Sequence, residues 1–525
     1  MNEIELLLAL LGVIAAIVWL AGKVNVPYPI FLLLAGIGIG FLPGLPDLTL
    51  DPDVIFLVFL PPLIHAAAWQ SSPKSLKRNA RTISVLAIAL VGATMAVVAV
   101  VAHAIVSDLS WAAAFVLGAI VSPTDTVAAT AIFRRIGVPE RVVGLVEGES
   151  LINDGTSLVL YRTALAALTA GTFAVGEAAL DLLVVGLGGA LFGLGIAWLV
   201  REARRRIDDP LIEITVTLLT PYLAFLPAEE LGLSGILAAV SSGLYLGWRQ
   251  GLDLNPTTRL QALGFWGVLT FVLESLLFVL IGLQFPGTLD RLGGEATGTL
   301  IAAALGIALA ATVVRMAFAL TAVPLPVKER AVVGWAGMRG AVSLAAALAV
   351  PVEAPGQPLI LFLTLTTIGI TLVAQGLTLP YLIRVLRLEE EAPGMREKAL
   401  ARFRTTEAAL AQIADLSFAE DSAPAQAVER AREMYTERAR QLTGDCREGV
   451  PPRSQADVAA WTKLRKHLLG IERAALIELR DEGRISLTVV REVERDLDLE
   501  EERLMRTAPP RREPAERRPE PEVIA

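Results

Sequence analysis

Long apolar stretches alternate with short polar segments through the first three-quarters of the chain. A stretch of about 20 apolar residues can cross about 30 Å of hydrocarbon as a helix. By this criterion the pattern predicts about thirteen membrane-spanning helices. Their predicted limits are residues 4–22, 27–43, 52–69, 82–106, 111–134, 140–169, 177–201, 211–227, 232–248, 261–285, 297–323, 329–351 and 358–386. We therefore expect an all-α polytopic membrane protein.

Composition supports a membrane protein and excludes a soluble globular fold for this part of the chain. Hydrophobic residues make up 54% of the sequence and charged residues 19%, and the mean hydropathy is +0.58. Such values are far from those of soluble domains. The first span is not expected to be a cleaved signal peptide, because Glu3 and Glu5 give it an acidic front where a signal peptide carries basic residues.

Loop charges predict the orientation in the membrane. Every second loop is basic, for example the loops that contain Lys74, Lys77, Arg78 and Arg81 or Arg201, Arg204, Arg205 and Arg206. The loops between them carry mainly Asp and Glu. Because basic loops stay in the cytosol, this alternation predicts an external N-terminus and a cytosolic C-terminus in the cell membrane.

Two of the predicted spans are interrupted. The fifth contains Val-Ser-Pro-Thr-Asp-Thr at residues 121–126, and the twelfth contains Gly-Trp-Ala-Gly-Met-Arg-Gly at residues 334–340. The interruptions occupy corresponding positions in two six-helix halves of opposite topology. Inverted repeats with broken helices that meet near the membrane midplane are typical of secondary transporters. We therefore predict two inverted six-helix repeats with crossed broken helices.

The interruptions carry residues of opposite charge. Pro123 removes a backbone donor, so that nearby hydroxyls, including Thr124, and freed carbonyls become available to a cation. Asp125 can offset the positive end of the half-helix that follows it. Arg339 can offset a negative half-helix end or pair with an acid. Crossed half-helices that point opposite ends at one centre require such opposite charges.

Acidic residues also occur within the sixth span, in Glu-Gly-Glu-Ser-Leu-Ile-Asn-Asp at residues 147–154. On a helix Glu147, Ser150 and Asp154 share one face, and Asn153 lies beside them. An acid at membrane depth indicates a functional site. Hard monovalent cations prefer oxygen ligands, and no Cys or His cluster suggests a transition metal. Asp154, Ser150 and Thr124 are thus candidate ligands of a monovalent cation.

A further acid, Glu274, lies in the tenth predicted span among apolar residues. An unpaired buried charge costs more than a paired one. We therefore expect a structural ion pair between Glu274 and Arg339.

The sequence resembles the monovalent cation:proton antiporters of the NhaP/NHE type across about residues 1–390. The resemblance rests on residues 121–128, 147–154, 271–278 and 337–343, in this order and spacing. It implies that Asp154 binds the ion and carries the proton, and that Ser150, Thr124, Asp125 and Asn153 belong to the site. It also implies that Glu274 and Arg339 form the structural pair.

The resemblance implies Na⁺ (or Li⁺) exchange for H⁺ by alternating access in a homodimer, with K⁺/H⁺ exchange as the alternative. Asn153 before Asp154 is associated with electroneutral one-for-one exchange. One feature departs from the family. Many members carry an acid after the Leu-Pro-Pro of the third span, whereas here Ala66 and its neighbours leave only His65. This departure leaves ion selectivity open.

The chain changes character after residue 388. Residues 1–388 are predicted to form the transporter domain, residues 389–507 a cytosolic helical domain with a regulatory or merely accessory role, and residues 508–525 a disordered tail rich in Pro, Arg and Glu. We expect no enzymatic activity, no cofactor and no nucleic-acid partner. A cation channel is a weaker alternative, because it does not account for the broken repeats with a titratable acid. A membrane sensor is also weaker, because it would carry a catalytic motif after residue 390 and the sequence shows no nucleotide-binding or hydrolase signature there.

Overall fold

The computed structural model is all-helical in the residues it describes. The described residues are 3–24, 27–42, 55–71, 73–106, 108–170, 175–207, 209–292, 297–388 and 395–416, with short pieces between 428 and 501. The chain forms two compact units, Met1–Pro393 and Gly394–Ala525. The predicted tail at 508–525 lies outside the described residues.

The first half of the large unit contains eight α-helices in its described residues. They are α1 (Glu3–Val24), α2 (Tyr28–Gly40), α3 (Leu60–Gln70), α4 (Pro73–Ser84), α5 (Val91–Ile105), α6 (Trp111–Val121), α7 (Val127–Ile136) and α8 (Glu140–Ala170). A π-helical turn, Ile55–Phe59, leads into α3, and a second, Val85–Leu90, joins α4 to α5.

The second half contains eight more among the described residues. They are α9 (Val175–Arg204), α10 (Pro210–Glu230), α11 (Gly235–Asp253), α12 (Pro256–Arg291), α13 (Thr297–Ala322), α14 (Val327–Trp335), α15 (Ala341–Leu348) and α16 (Gln357–Leu386). In the second unit α17 (Met395–Leu416) is described over its length.

Helices occupy each of the predicted spans, and both interrupted spans are split as expected. The fifth becomes α6 and α7, and the twelfth becomes α14 and α15. Six described helices are long and apolar enough to cross a membrane, and four shorter apolar helices accompany them. The number of crossings and the inverted repeat remain predictions.

The helices of the large unit pack in two groups. The crossing bundle consists of α4–α8 and α13–α16, in which α6 packs on α5 and α8, and α13 packs on α5, α14 and α16. The flanking bundle consists of α1–α3 and α9–α12, with its main contacts between α2 and α12, α9 and α11, and α3 and α11. The broken helices thus belong to one group.

Within the flanking bundle, glycines bring helix backbones into direct contact. A Cβ atom on Gly36 would lie 2.3 Å from the Val279 carbonyl oxygen, and one on Gly282 would lie 2.3 Å from that of Leu33. At the boundary between the two bundles, glycines meet side chains. A Cβ atom on Gly155 would lie 3.0 Å from the Leu237 side chain.

Candidate functional site

The two interruptions meet in space. Residues 122–126 separate α6 from α7, and residues 336–340 separate α14 from α15. The backbone N–H of Asp125 donates to the Met338 carbonyl over 2.8 Å, which joins one interruption to the other. Pro123 cannot donate a backbone hydrogen bond, which helps to explain why the first helix stops here. Four half-helix ends therefore converge on one point.

Asp125 caps two of these ends. Its Oδ1 accepts from the Val127 N–H at the start of α7 over 2.9 Å. Its Oδ2 accepts from the Ala341 N–H at the start of α15 over 3.2 Å. A helix start carries a partial positive charge and unsatisfied N–H groups, so one carboxylate stabilises both. Gly340 permits this approach, because a Cβ atom there would lie 1.8 Å from Oδ2.

Arg339 caps the C-terminal end of α6. Its Nη1 donates to the carbonyls of Ser122 and, over 2.8 Å, Pro123. These carbonyls lie at the negative end of α6, where a cation is favourable. The Arg339 backbone N–H donates to Thr371 Oγ1 on α16 over 3.3 Å. The side chain is 2% exposed.

The expected ion pair between Glu274 and Arg339 is not formed. Glu274 instead accepts a hydrogen bond from the Tyr28 hydroxyl over 3.0 Å. The physical reason is that the carbonyls of residues 122 and 123 need a donor after the helix breaks, and no other residue within the described ranges supplies one. The Arg339 guanidinium fills that need and is therefore not used by Glu274.

The buried ion pair of the crossing bundle joins Glu149 to Arg315. Arg315 donates from Nη1 to Oε1 and from Nη2 to Oε2, the latter over 2.9 Å, and the two side chains are 2% and 1% exposed. Arg315 also donates from Nε to the Val333 carbonyl. Sequence reasoning missed this pair, although an arginine in the apolar helix α13 is a signal of the same kind as Asp154.

Hydrogen bonds hold the first interruption against α8. Ser150 Oγ donates to the Thr124 carbonyl over 3.0 Å, and Asn153 Nδ2 donates to Thr124 Oγ1 over 2.9 Å. Thr124 Oγ1 in turn donates to Glu149 Oε1 over 3.3 Å. The Asn-Asp sequence of α8 is thereby fixed against the unwound segment.

A cavity of about 310 Å³ opens onto this segment. Thr124, Asp125, Ser150 and Asp154 line it. Among the side chains that the structure describes, none donates a hydrogen bond to the Asp154 carboxylate. Asn153 is 1% exposed and is absent from the cavity lining, so it positions Thr124 from behind. Carboxylate, hydroxyl and carbonyl oxygens suit a hard cation.

The flanking bundle supplies the facing wall of the cavity. Tyr28, Ala66, Ala67 and Glu274 are part of its lining. His65 is 2% exposed, does not line the cavity and has its Nδ1 3.1 Å from Ser242 Oγ. It therefore does not take the place of an acid in this wall.

Comparisons with known proteins agree on one family. The family model described as "Sodium/hydrogen exchanger, transmembrane" matches residues 7–385. A protein of Mycobacterium tuberculosis described as an uncharacterised Na⁺/H⁺ exchanger is 35% identical over 95% of this chain and 96% of its own. The Na⁺/H⁺ antiporter ApNhaP of Aphanothece halophytica is 34% identical over 74% of this chain and 75% of its own.

Two further matches concern ion range and fold. A sodium, potassium, lithium and rubidium/H⁺ antiporter of Bacillus pumilus is 32% identical over 72% of this chain and 61% of its own. The solved structure of the sodium proton antiporter MjNhaP1 from Methanocaldococcus jannaschii covers 74% of this chain and 99% of its own, with a TM-score of 0.60 and 22% identity. That structure supports the fold.

Proposed function

The chain belongs to the sodium/hydrogen exchanger family, and on this premise we propose that it exchanges Na⁺ or Li⁺ for H⁺ at Asp154. Cation/proton exchange, rather than enzymatic catalysis, is the activity of the family, and the chain is a multi-pass membrane protein. The observation that carries the proposal is the Asp154 carboxylate, which lines the cavity beside the crossed helices without a hydrogen bond from a described side chain.

Exchange follows from competition for this carboxylate. A charge away from bulk water must be neutralised, and either a proton or a cation can do so. Ser150 Oγ and the oxygens of Thr124 lie on the same cavity wall and supply further ligands to the cation. Because the two substrates neutralise the same group, neither binds while the other is held.

The surrounding charges favour electroneutral one-for-one exchange. Glu149 and Arg315 neutralise each other, and Asp125 and Arg339 are of opposite sign and cap opposite helix ends. The net charge of the crossing bundle then depends on whether the Asp154 carboxylate has bound a cation or a proton. One Na⁺ or one H⁺ leaves the loaded bundle with the same net charge.

The proposed mechanism is an elevator-like movement of the crossing bundle against the flanking bundle. Arg134 and Glu147 also line the cavity, and Arg134 lies in the last turn of α7, beside Arg135 and Arg141 in a basic segment, which supports access from the cytosol. An ion pair between Arg162 on α8 and Glu229 on α10 joins the two bundles beyond Asp154 and would close the external side. The proposal places the protein in the cell membrane with its N-terminus outside and its C-terminus in the cytosol.

Potassium is the second candidate cation. The Bacillus pumilus relative is described as acting on sodium, potassium, lithium and rubidium, and residues 55–69, the described part of the third span, contribute no acid to the cavity. A weaker field of oxygen ligands discriminates less between Na⁺ and K⁺.

The test is proton flux in proteoliposomes that contain a pH dye, with the membrane potential clamped. Pulses of NaCl, LiCl and KCl are compared for the wild type and Asp154→Asn. We expect cation-driven proton movement with Na⁺ and Li⁺, at a rate independent of the clamped potential, and its loss in Asp154→Asn. The substitution is isosteric, so the variant should elute and unfold like the wild type.

Contrary results are equally clear. Proton movement by Asp154→Asn would remove Asp154 from this role, and dependence on the clamped potential would contradict electroneutrality. No response of the folded wild type to any of the three cations across a range of pH would contradict exchange itself.

The proposal also includes a homodimer and a regulatory role for residues 389–507. Both can be tested on purified protein in detergent and in the same vesicles. We expect the mass of a dimer, and we expect deletion of residues 396–525 to keep transport but change its dependence on pH. A monomeric mass, or an unchanged pH profile after the deletion, would contradict the respective part.

A further inference from the structure

We propose that Glu274 is the carboxylate that attracts and holds the cation on the flanking wall of the cavity, and so determines cation affinity. The inference rests on the exchange function proposed above. Glu274 lies on α12 and lines the same cavity as Asp154. The two acids belong to different bundles, one on each wall. A cation in the cavity is thus exposed to a carboxylate on both sides.

The environment of Glu274 argues against a purely structural role. A buried acid that stabilises a fold is normally paired with a cation. Glu274 has a phenol as its partner, because Tyr28 donates to Oε2 and no other described residue bonds this carboxylate. Arg339, the expected cation, is committed to the carbonyls of residues 122 and 123. The remaining oxygen, Oε1, is available to a ligand.

Glu274 also has no competitor on its wall. The other described residues that α2, α3 and α12 contribute to the cavity carry no carboxylate; they are Tyr28, Leu60, Leu63, Ile64, Ala66, Ala67, Gln70, Thr270, Leu277 and Phe278. The third span presents alanines, and Ala67 is exposed. The negative charge of this wall therefore comes from Glu274, on a neighbouring helix.

This arrangement predicts separate effects on affinity and on maximum rate. A fixed negative charge in a low-dielectric cavity attracts a cation. Its removal should weaken cation binding, while Asp154 still carries the proton and the cation across. In proteoliposomes, Glu274→Gln should raise the apparent KM for Na⁺ about tenfold and leave the maximum rate within about twofold of the wild type.

Moving the carboxylate to another position on the same wall tests whether Glu274 acts through its charge in the cavity or through structural support of the fold. Ala67→Glu in the Glu274→Gln background returns a negative charge to the same wall, and we expect it to recover most of the Na⁺ affinity. Ala67→Gln in that background is the matched neutral control and should not. Failure of the folded Ala67→Glu double variant to recover affinity, or an unchanged KM in Glu274→Gln, would overturn the proposal.

A second variant leaves Glu274 in place, so the test does not depend on the folding of Glu274→Gln. Ala67→Lys places a positive charge on the exposed position and should raise the KM for Na⁺, whereas Ala67→Gln should not. An unchanged KM in folded Ala67→Lys would contradict control of affinity by the charge of this wall. The proposed function fails separately, since it requires proton movement by the wild type and its loss in Asp154→Asn.

Discussion

Both interrupted helices leave backbone groups without helical partners, and side chains of opposite charge stabilise these groups in different surroundings. Asp125, from the first interruption, accepts from the N–H groups that begin α7 and α15, and it lines the cavity. Arg339, from the second, donates to the carbonyls that end α6, and it is 2% exposed and absent from the cavity lining. The acid therefore lies where water and ions can enter, and the arginine lies in the dry interior.

This difference separates a helix cap at the cavity from a helix cap in the protein interior. Water that enters the cavity can replace a lost acceptor at the N–H groups, whereas a lost donor on the dry side leaves buried carbonyls unpaired. Each charge also acts across the crossing, since Asp125 caps α15 and Arg339 caps α6. Removing either charge should thus affect both broken helices, but at unequal cost.

The largest effect is expected for Arg339→Ala. It leaves the carbonyls of Ser122 and Pro123 without their donor in a site closed to water. Two buried unpaired groups cost about 1–3 kcal/mol each, so the loss should be about 2–6 kcal/mol. The checks are the yield of monodisperse protein and the thermal unfolding midpoint in detergent. Arg339→Lys, which keeps the charge, should lose less; equal losses would mean that the charge does not matter.

A smaller effect is expected for Asp125→Ala. Two N–H groups lose their acceptor, but both face a cavity that can admit water, so the loss of stability should be about 1–2 kcal/mol. Asp125→Asn keeps one acceptor and should fall between Ala and the wild type. Thermal unfolding of the three proteins side by side checks the order. A loss as large as that of Arg339→Ala would contradict the distinction between wet and dry caps.

The last variant, Gly340→Ala, approaches Asp125 from the second interruption, and we expect a loss of about 2–3 kcal/mol. The new methyl group would lie 1.8, 2.5 and 2.6 Å from Oδ2, Cγ and Cβ of Asp125, so the whole side chain and the nearby backbone must shift. Such a shift disturbs the hydrogen bonds of Asp125 to Val127 and Ala341 together. Gly267→Ala on α12 is the control, because no atom lies within 4 Å of its added Cβ. Equal unfolding midpoints for the two variants would show that Asp125 adapts without cost.

Sequence patterns revealed the helices, the interruptions and the membrane acid, because each depends on residues close together in the chain. Pro123 and the glycines around Arg339 mark the breaks, and Asp154 is conspicuous within an apolar stretch. The cavity lining then includes Asp154, Ser150, Thr124 and Asp125 together. Local rules of helix propensity and the cost of charges in lipid suffice for these features.

Pairing between distant residues could not be predicted in the same way. Glu149 and Arg315 are 166 residues apart, and several acids and two membrane arginines allowed more than one combination. Charge balance alone favoured an ion pair between Glu274 and Arg339. The structure decides differently because backbone carbonyls at a helix break compete for a guanidinium as effectively as a carboxylate does.

The glycine contacts of the flanking bundle have a mechanical consequence. Where backbone meets backbone, as at Gly36 and Gly282, two helices interlock and resist shear, because sliding would drive Cα atoms into carbonyl oxygens. Where glycine meets a side chain, as at Gly155 and Leu237, a change of rotamer can relieve the contact. The interlocked glycines therefore make this part of the flanking bundle stiff, and the side-chain contact at Gly155 leaves the boundary between the two bundles easier to shear.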